Sequence, residues 1–298
     1  MPGMMAQGVY PPDLPLLPRM MLKRCALAGM SCLDLGSMEG LIPVLMRRGG
    51  AQAVLATDAI PHCTEKMGAV QHYYGVDFEY KSVGLMYDLD KKLRGRAFDL
   101  INCSGLLYHV FSPLLVLAGM RALLKKNGLL IVTTNITLDD SYAMEFNNAG
   151  RMQAEANTFW YPSVKLFDYL LRYLKLAPVD CLFFPHAAAR TNVRYVFNKT
   201  SGYLSVLCRA VDDVLPTRGD EWMAESAEHS WEHRELTNWR QAERQPISDI
   251  KHTGQPDSRY MREDIGCLDL SMAAAESVPV VTAQQGSDSH FLRLADMS

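Results

Sequence analysis

The sequence predicts an α/β fold: a doubly wound, seven-stranded, mostly parallel sheet covered by helices, with a polar C-terminal extension. Three observations predict it. Short apolar runs alternate with helix-like stretches between residues 31 and 211. The first run passes straight into a glycine turn, Cys32-Leu33-Asp34-Leu35-Gly36-Ser37-Met38-Glu39-Gly40. A second run, Ala53-Val54-Leu55-Ala56-Thr57, ends in an acid, Asp58, eighteen residues beyond Gly40.

Taken in order, residues 1–25 are rich in Pro and Met and read as irregular, with a short helix near Met20–Cys25. Ser31–Leu35 is strand one, Leu41–Arg48 a helix, Ala53–Thr57 strand two and Glu65–Tyr74 a helix. Phe78–Val83 is strand three and Phe98–Ser104 strand four. Pro113–Lys125 is a helix that stops at Lys126-Asn127-Gly128, with basic residues in the last turn and glycine beyond. Gly128–Thr134, β-branched and apolar, is strand five. Asn135–Phe159 is polar and reads as a lid or substrate-facing insertion. Val164–Leu174 is a helix, Val179–Phe184 strand six and Gly202–Val211 strand seven. Beyond Pro216 a helix is expected over Asp220–Arg240, with short elements at Ile265–Ala275 and Val278–Val281. The expected division is a lead-in at 1–30, the sheet domain at 31–215 and an acidic extension at 216–298.

Composition excludes several classes. The 298 residues are 48% hydrophobic, enough for a sizeable core. No run of eighteen apolar residues is present, and no basic segment leads into an apolar one at the N-terminus, so neither a membrane span nor a signal peptide is expected. The seven cysteines are scattered without a Cys-x-x-Cys pair, which points to a reducing, cytoplasmic setting rather than a disulfide or zinc framework. The net charge of −3 is uneven: residues 211–298 carry 8 Lys and Arg against 17 Asp and Glu, leaving the body at +6. Neither part has the dense basic stripe of a nucleic-acid binder. His229 and His233 stand four apart on the expected helix, but with no third ligand in view no metal site is expected.

The glycine turn and Asp58 together are how such a sheet holds an adenosine. The glycines let the backbone approach the ligand, and the acid accepts from ribose hydroxyls. The spacing Asp-x-Gly-x-x-x-Gly, in the absence of Gly-x-Gly-x-x-Gly, fits S-adenosylmethionine rather than a dinucleotide.

Two further pieces complete a resemblance. They are Phe98-Asp99-Leu100-Ile101-Asn102-Cys103-Ser104-Gly105-Leu106-Leu107-Tyr108-His109, with Ser112-Pro113-Leu114, and Asn157-Thr158-Phe159-Trp160-Tyr161-Pro162-Ser163. With the two motifs above, in order across roughly residues 30–211, the chain resembles the Rossmann-like class I S-adenosylmethionine-dependent methyltransferases. Within them it is similar to the group related to the tRNA uridine-34 5-oxyacetic acid synthase. The resemblance implies that Asp34, Gly36, Ser37 and Gly40 line the methionine and ribose. It gives Asp58 the ribose hydroxyls, Ala59 the adenine face, Leu85 and Met86 the adenine edge, and Ser104 and Tyr108 the flank of the sulfonium. The chain departs from that group in three places. The relatives carry a long segment before the first strand, an arginine near the last strand for the extra carboxylate of carboxy-S-adenosylmethionine, and a glutamate near the adenine. Here strand one begins near residue 31, Gly202-Tyr203-Leu204-Ser205 has no arginine beside it, and Met86 stands for the glutamate. Ordinary S-adenosylmethionine is therefore the expected cofactor.

His109, at the carboxyl end of strand four, is the expected general base, because an imidazole moves protons near neutral pH. Tyr108 is the second catalytic candidate. Trp160, Tyr161, His186, Arg190 and Arg194 are the expected substrate contacts, the arginines suiting an anionic group. The expected function is methyl transfer to an oxygen or nitrogen of a small metabolite or sugar. A tRNA-modifying methyltransferase and a non-catalytic cofactor-binding subunit are the alternatives. The expected partner is the small substrate, without nucleic acid or membrane; assembly into a homo-oligomer is left open.

Overall fold

The structure, a computed structural model, describes residues 16–61, 63–138, 141–147, 158–185, 200–212 and 281–282. Helix α1 (Leu16–Leu22) leads into β1 (Ser31–Leu35), α2 (Leu41–Arg48), β2 (Ala53–Asp58), α3 (Cys63–Tyr74), β3 (Glu79–Ser82) and the short α4 (Leu89–Lys92). Then come β4 (Phe98–Ser104), a 3-10 turn at Leu107–His109, α5 (Pro113–Leu123) and β5 (Leu124–Leu138). The rest is a small hairpin of β6 (Met144–Phe146) and β7 (Trp160–Pro162), α6 (Val164–Tyr173), β8 (Leu176–Pro185), β9 (Thr200–Ala210) and β10 (Val281–Thr282).

The main sheet runs β10-β8-β9-β5-β4-β1-β2-β3. The pairs from β3 to β5 are parallel, whereas β9 runs antiparallel to both β5 and β8. The seven-stranded, mostly parallel, doubly wound sheet is therefore present, with the two-residue β10 added at one edge. The strand order turns back between β1 and β4. A ligand crevice opens at such a switch point, outside the carboxyl ends of the strands.

Period-two alternation sorts the strand residues onto two cores. Leu33, Leu35, Ile101, Cys103, Leu130 and Val132 pack with Leu89, Val116, Met120 and Phe167 from α4, α5 and α6. Cys32, Leu100, Ile131 and Leu207 pack with Met21, Val44 and Met67 from α1, α2 and α3. Burial on both faces explains why these strands are apolar almost throughout.

The structure differs from the sequence reading in a few places. Helix α1 begins earlier than expected and buries Leu17, Met20 and Met21, so the second half of the expected lead-in belongs to the core. Helix α5 ends at Leu123 rather than Lys125, because Leu124 is extended and pairs with Phe98. Asn127, not Gly128, takes the left-handed conformation (φ 60°). Gly128 is needed for closeness instead: a Cβ there would lie 2.8 Å from Lys125 O and 3.2 Å from Phe98 O. The expected insertion over Asn135–Phe159 starts later, since Asn135–Leu138 continue β5 and pair with Tyr203–Thr200 of β9. The six described cysteines are free, Cys25 half-buried and the rest buried. No described helix is long and apolar enough to cross a membrane. The expected elements at Asp220–Arg240 and Ile265–Ala275 lie outside the described residues.

Candidate cofactor and methyl-transfer site

The glycine turn is fastened to the end of β2. Gly36 and Ser37 donate their N–H groups to Thr57 O at 2.9 and 3.0 Å, and Thr57 Oγ1 donates back to Asp34 O at 3.0 Å. Gly36 holds φ 73°, a conformation that costs an ordinary residue about 1–2 kcal/mol. Met38 holds φ 42° in the same turn and so aims its N–H at Asp58 Oδ2, at 2.8 Å. Ile60 N–H takes the other oxygen, Oδ1, at 2.9 Å. Asp58 is thereby locked at the carboxyl end of β2 with only part of its acceptor capacity used. Gly40, also left-handed, starts α2.

Asp34, the last residue but one of β1, lies at the switch point and is 1% exposed. Burial pushes its carboxyl up to about 7. The hydrogen bonds from Ser37 and Asn102 work against that rise, and the nearby Asp58 adds to it. Asn102 Nδ2 donates to Asp34 Oδ1 at 2.7 Å, and the two residues are register partners on β1 and β4. Two carboxyl groups flanking a glycine turn suit hydroxyl and ammonium donors, which is the donor set of an aminoacyl-bearing nucleoside. The residues therefore fit S-adenosylmethionine: Asp58 would take the ribose side, Asp34 the methionine side, and Gly36, Ser37 and Gly40 would give backbone access. When bound, the cofactor supplies a methyl group on a sulfonium, already activated for displacement.

The other expected residues divide. Ala59 is half-buried beside Asp58. Of the expected adenine-edge pair, Leu85 is 69% exposed, while Met86 is withdrawn into the core at 2%. Ser104 is half-buried, its hydroxyl 2.8 Å from Asn102 Oδ1 and 3.1 Å from Thr133 Oγ1. Tyr108 is 2% exposed, and its carbonyl accepts from Phe159 N–H at 2.7 Å, so it fixes the 3-10 turn. His109, half-buried, has its ring 4.4 Å from that of Tyr108. Trp160 donates Nε1–H to Phe111 O at 2.8 Å and sits in an aromatic cluster with Phe111, Phe146 and Phe159. Tyr161, expected to touch substrate, is fully buried. His186, Arg190 and Arg194 lie outside the described residues, as do His229 and His233.

Sequence reasoning missed Asn102, Thr133, Ser205, Phe111 and Phe146. The signal for the first three was legible: each is a polar residue two positions along from an apolar one on the same face of a buried strand. Phe111 and Phe146 carried no such signal, because only the folding of the hairpin brings them together.

Known proteins match this arrangement. The chain is 34% identical over 113 residues to the ubiquinone biosynthesis O-methyltransferase of Xanthomonas campestris pv. campestris, covering 37% of this chain and 45% of that one. It is 27% identical over 157 residues to the tRNA U34 carboxymethyltransferase of Desulforapulum autotrophicum, covering 53% and 47%. The chain thus spans about half the length of the curated relatives it matches. In fold it is similar to the YcgJ protein of Bacillus subtilis, with a TM-score of 0.52 at 14% identity over 65% of this chain and 97% of that one. Residues 14–171, more than half of the chain, match the family described as a methyltransferase domain. With the glycine turn, Asp58 and the sheet order in place, the chain belongs to the class I S-adenosylmethionine-dependent methyltransferases.

Proposed function

We propose that the protein transfers a methyl group from S-adenosylmethionine to an oxygen or nitrogen of a small acceptor molecule. The observation that carries this reading is the aromatic wall over the carboxyl end of β4. Phe146 stands 4.9 Å from Trp160, Phe111 is 5.8 Å from Phe159, and Phe111 and Phe146 are 62% and 45% exposed. Exposed rings, one of them two residues beyond the half-buried His109, suit a compact acceptor with an apolar or planar body. The work of the chain is alignment: the glycine turn and Asp58 hold the cofactor end, and the hairpin walls the acceptor end. His109 takes the acceptor proton on a ring nitrogen, while the buried Tyr108 holds the turn that presents it. The Xanthomonas relative, named for O-methylation in ubiquinone biosynthesis, supports a small acceptor.

An RNA acceptor is the second reading, favoured by the likeness to a tRNA U34 carboxymethyltransferase. One experiment separates the two. Labelled methyl from S-adenosylmethionine is followed into a cell extract divided into metabolite, RNA and protein fractions. The proposal expects label among the metabolites, and expects His109→Ala to lose most of it, about a hundredfold or more, while S-adenosylhomocysteine binding persists. Label confined to RNA would transfer the assignment to the second reading.

A further inference from the structure

Five polar side chains lie in one row across the middle of the sheet, from β1 to β9. Asn102 Nδ2 donates to Asp34 Oδ1 at 2.7 Å, Ser104 Oγ is 2.8 Å from Asn102 Oδ1, Thr133 Oγ1 is 3.1 Å from Ser104 Oγ, and Ser205 Oγ is 2.8 Å from Thr133 Oγ1. Strand register places them there: Asp34 opposite Asn102, Ser104 opposite Thr133, Thr133 opposite Ser205. Four of the five are at most 1% exposed, and Ser104 is half-buried. On the same face, the alternate positions nearer the other end of the sheet are Cys32, Leu100, Ile131 and Leu207, all apolar. The face changes from apolar to polar at the level of the ligand crevice.

We propose that Asn102, Ser104, Thr133 and Ser205 are positioning residues, forming one continuous hydrogen-bond chain that holds the Asp34 carboxylate at the mouth of the glycine turn. Donor counting fixes the inner link. A carboxylate only accepts, so the Asn102 amide faces it with Nδ2 and turns Oδ1 toward Ser104. Ser104 has a single proton, and both Asn102 Oδ1 and Thr133 Oγ1 stand where they can accept it. Thr133 and Ser205 meet hydroxyl to hydroxyl, with either as donor. Thr133 and Ser205 therefore govern how far the Ser104 proton is given to Asn102, and a chain coupled in this way sets the charge stabilisation at its Asp34 end. It also opposes the burial and the Asp58 charge that disfavour ionisation. The ionisable groups around Asp34, among the described residues, are Asp58 at the end of β2 and the thiol of Cys103 on β4. The inference rests on the functional reading only in taking Asp34 as a contact of the cofactor.

Thr133→Val keeps the side-chain shape and removes the hydroxyl; Thr133→Ser keeps the hydroxyl. The Asp34 carboxyl is titrated by carbon-13 NMR in cofactor-free protein, its signal assigned by its loss in Asp34→Asn. S-adenosylhomocysteine affinity is measured by calorimetry at neutral pH. The proposal expects Thr133→Val to move the Asp34 midpoint and change binding about threefold to tenfold, the scale of one net hydrogen bond, and expects Thr133→Ser to match wild type. Should Thr133→Val fail to fold, Ser205→Ala, one link further out, reads the same shift. An unmoved midpoint in a folded variant lacking the hydroxyl overturns the chain. Wild-type protein that binds no S-adenosylhomocysteine overturns the functional reading instead.

Discussion

Asp34 holds its proton to about pH 7 because burial penalises its charge more than Ser37 and Asn102 relieve it. An ordinary aspartate, with a value of 3.8, loses its proton well before that. Between about pH 4 and 7 the folded protein therefore keeps a proton that the unfolded chain has released. The associated stability is fully present below about pH 4 and is lost as pH rises to 7. Urea unfolding of wild type and Asp34→Asn across that range measures it. Wild type is expected to lose stability relative to Asp34→Asn as pH rises; parallel curves would contradict the assignment. Asp58 differs in kind. Both its oxygens already accept backbone N–H groups from Met38 and Ile60, which fixes where the carboxylate points before any ligand arrives.

At the scale of elements, Ser163 joins the hairpin to α6. Its hydroxyl accepts from Leu166 N–H at 3.2 Å as the N-cap of α6, accepts from Ala143 N–H at 3.3 Å, and donates to Ser141 O. Ser163→Ala removes the cap and two ties to the preceding segment. It is expected to cost about 1–2 kcal/mol, read as a lower thermal midpoint, and to perturb Trp160 fluorescence because β7 ends one residue before Ser163. A change in stability with no change at Trp160 would show that the hairpin is held elsewhere. Much at this scale was legible in the sequence. Ser31–Leu35, Leu41–Arg48 and Phe98–Ser104 stand as predicted, because apolar periodicity and the glycine turns delimit them locally. The elements misjudged are those set by distant partners. Leu124 leaves α5 to pair with Phe98, and Asn135–Leu138 stay extended because β9 is long enough to pair with them. The hairpin joins Met144–Phe146 to Trp160–Pro162 across a gap that no local pattern bridges.

At the scale of the molecule, the sheet separates two tasks. Its apolar body, packed on both faces, fixes the strand ends. Its carboxyl edge, from the glycine turn through Asn102 to the aromatic wall, gathers the residues of the proposed site. The residues expected at the cofactor were the more local half of the candidate site, since Asp34, Gly36, Ser37, Gly40 and Asp58 come from two short motifs that one β-α-β unit brings together. The proposed acceptor side draws on the 3-10 turn and the hairpin, which are far apart in the chain and meet only after folding. The most direct test of the whole account is a calorimetric titration of S-adenosylhomocysteine into wild type and Asp58→Ala. The account predicts one site per chain in wild type and a loss of about tenfold to a hundredfold on removal of the carboxylate. Equal affinity in the two proteins, or no binding to wild type, would contradict it.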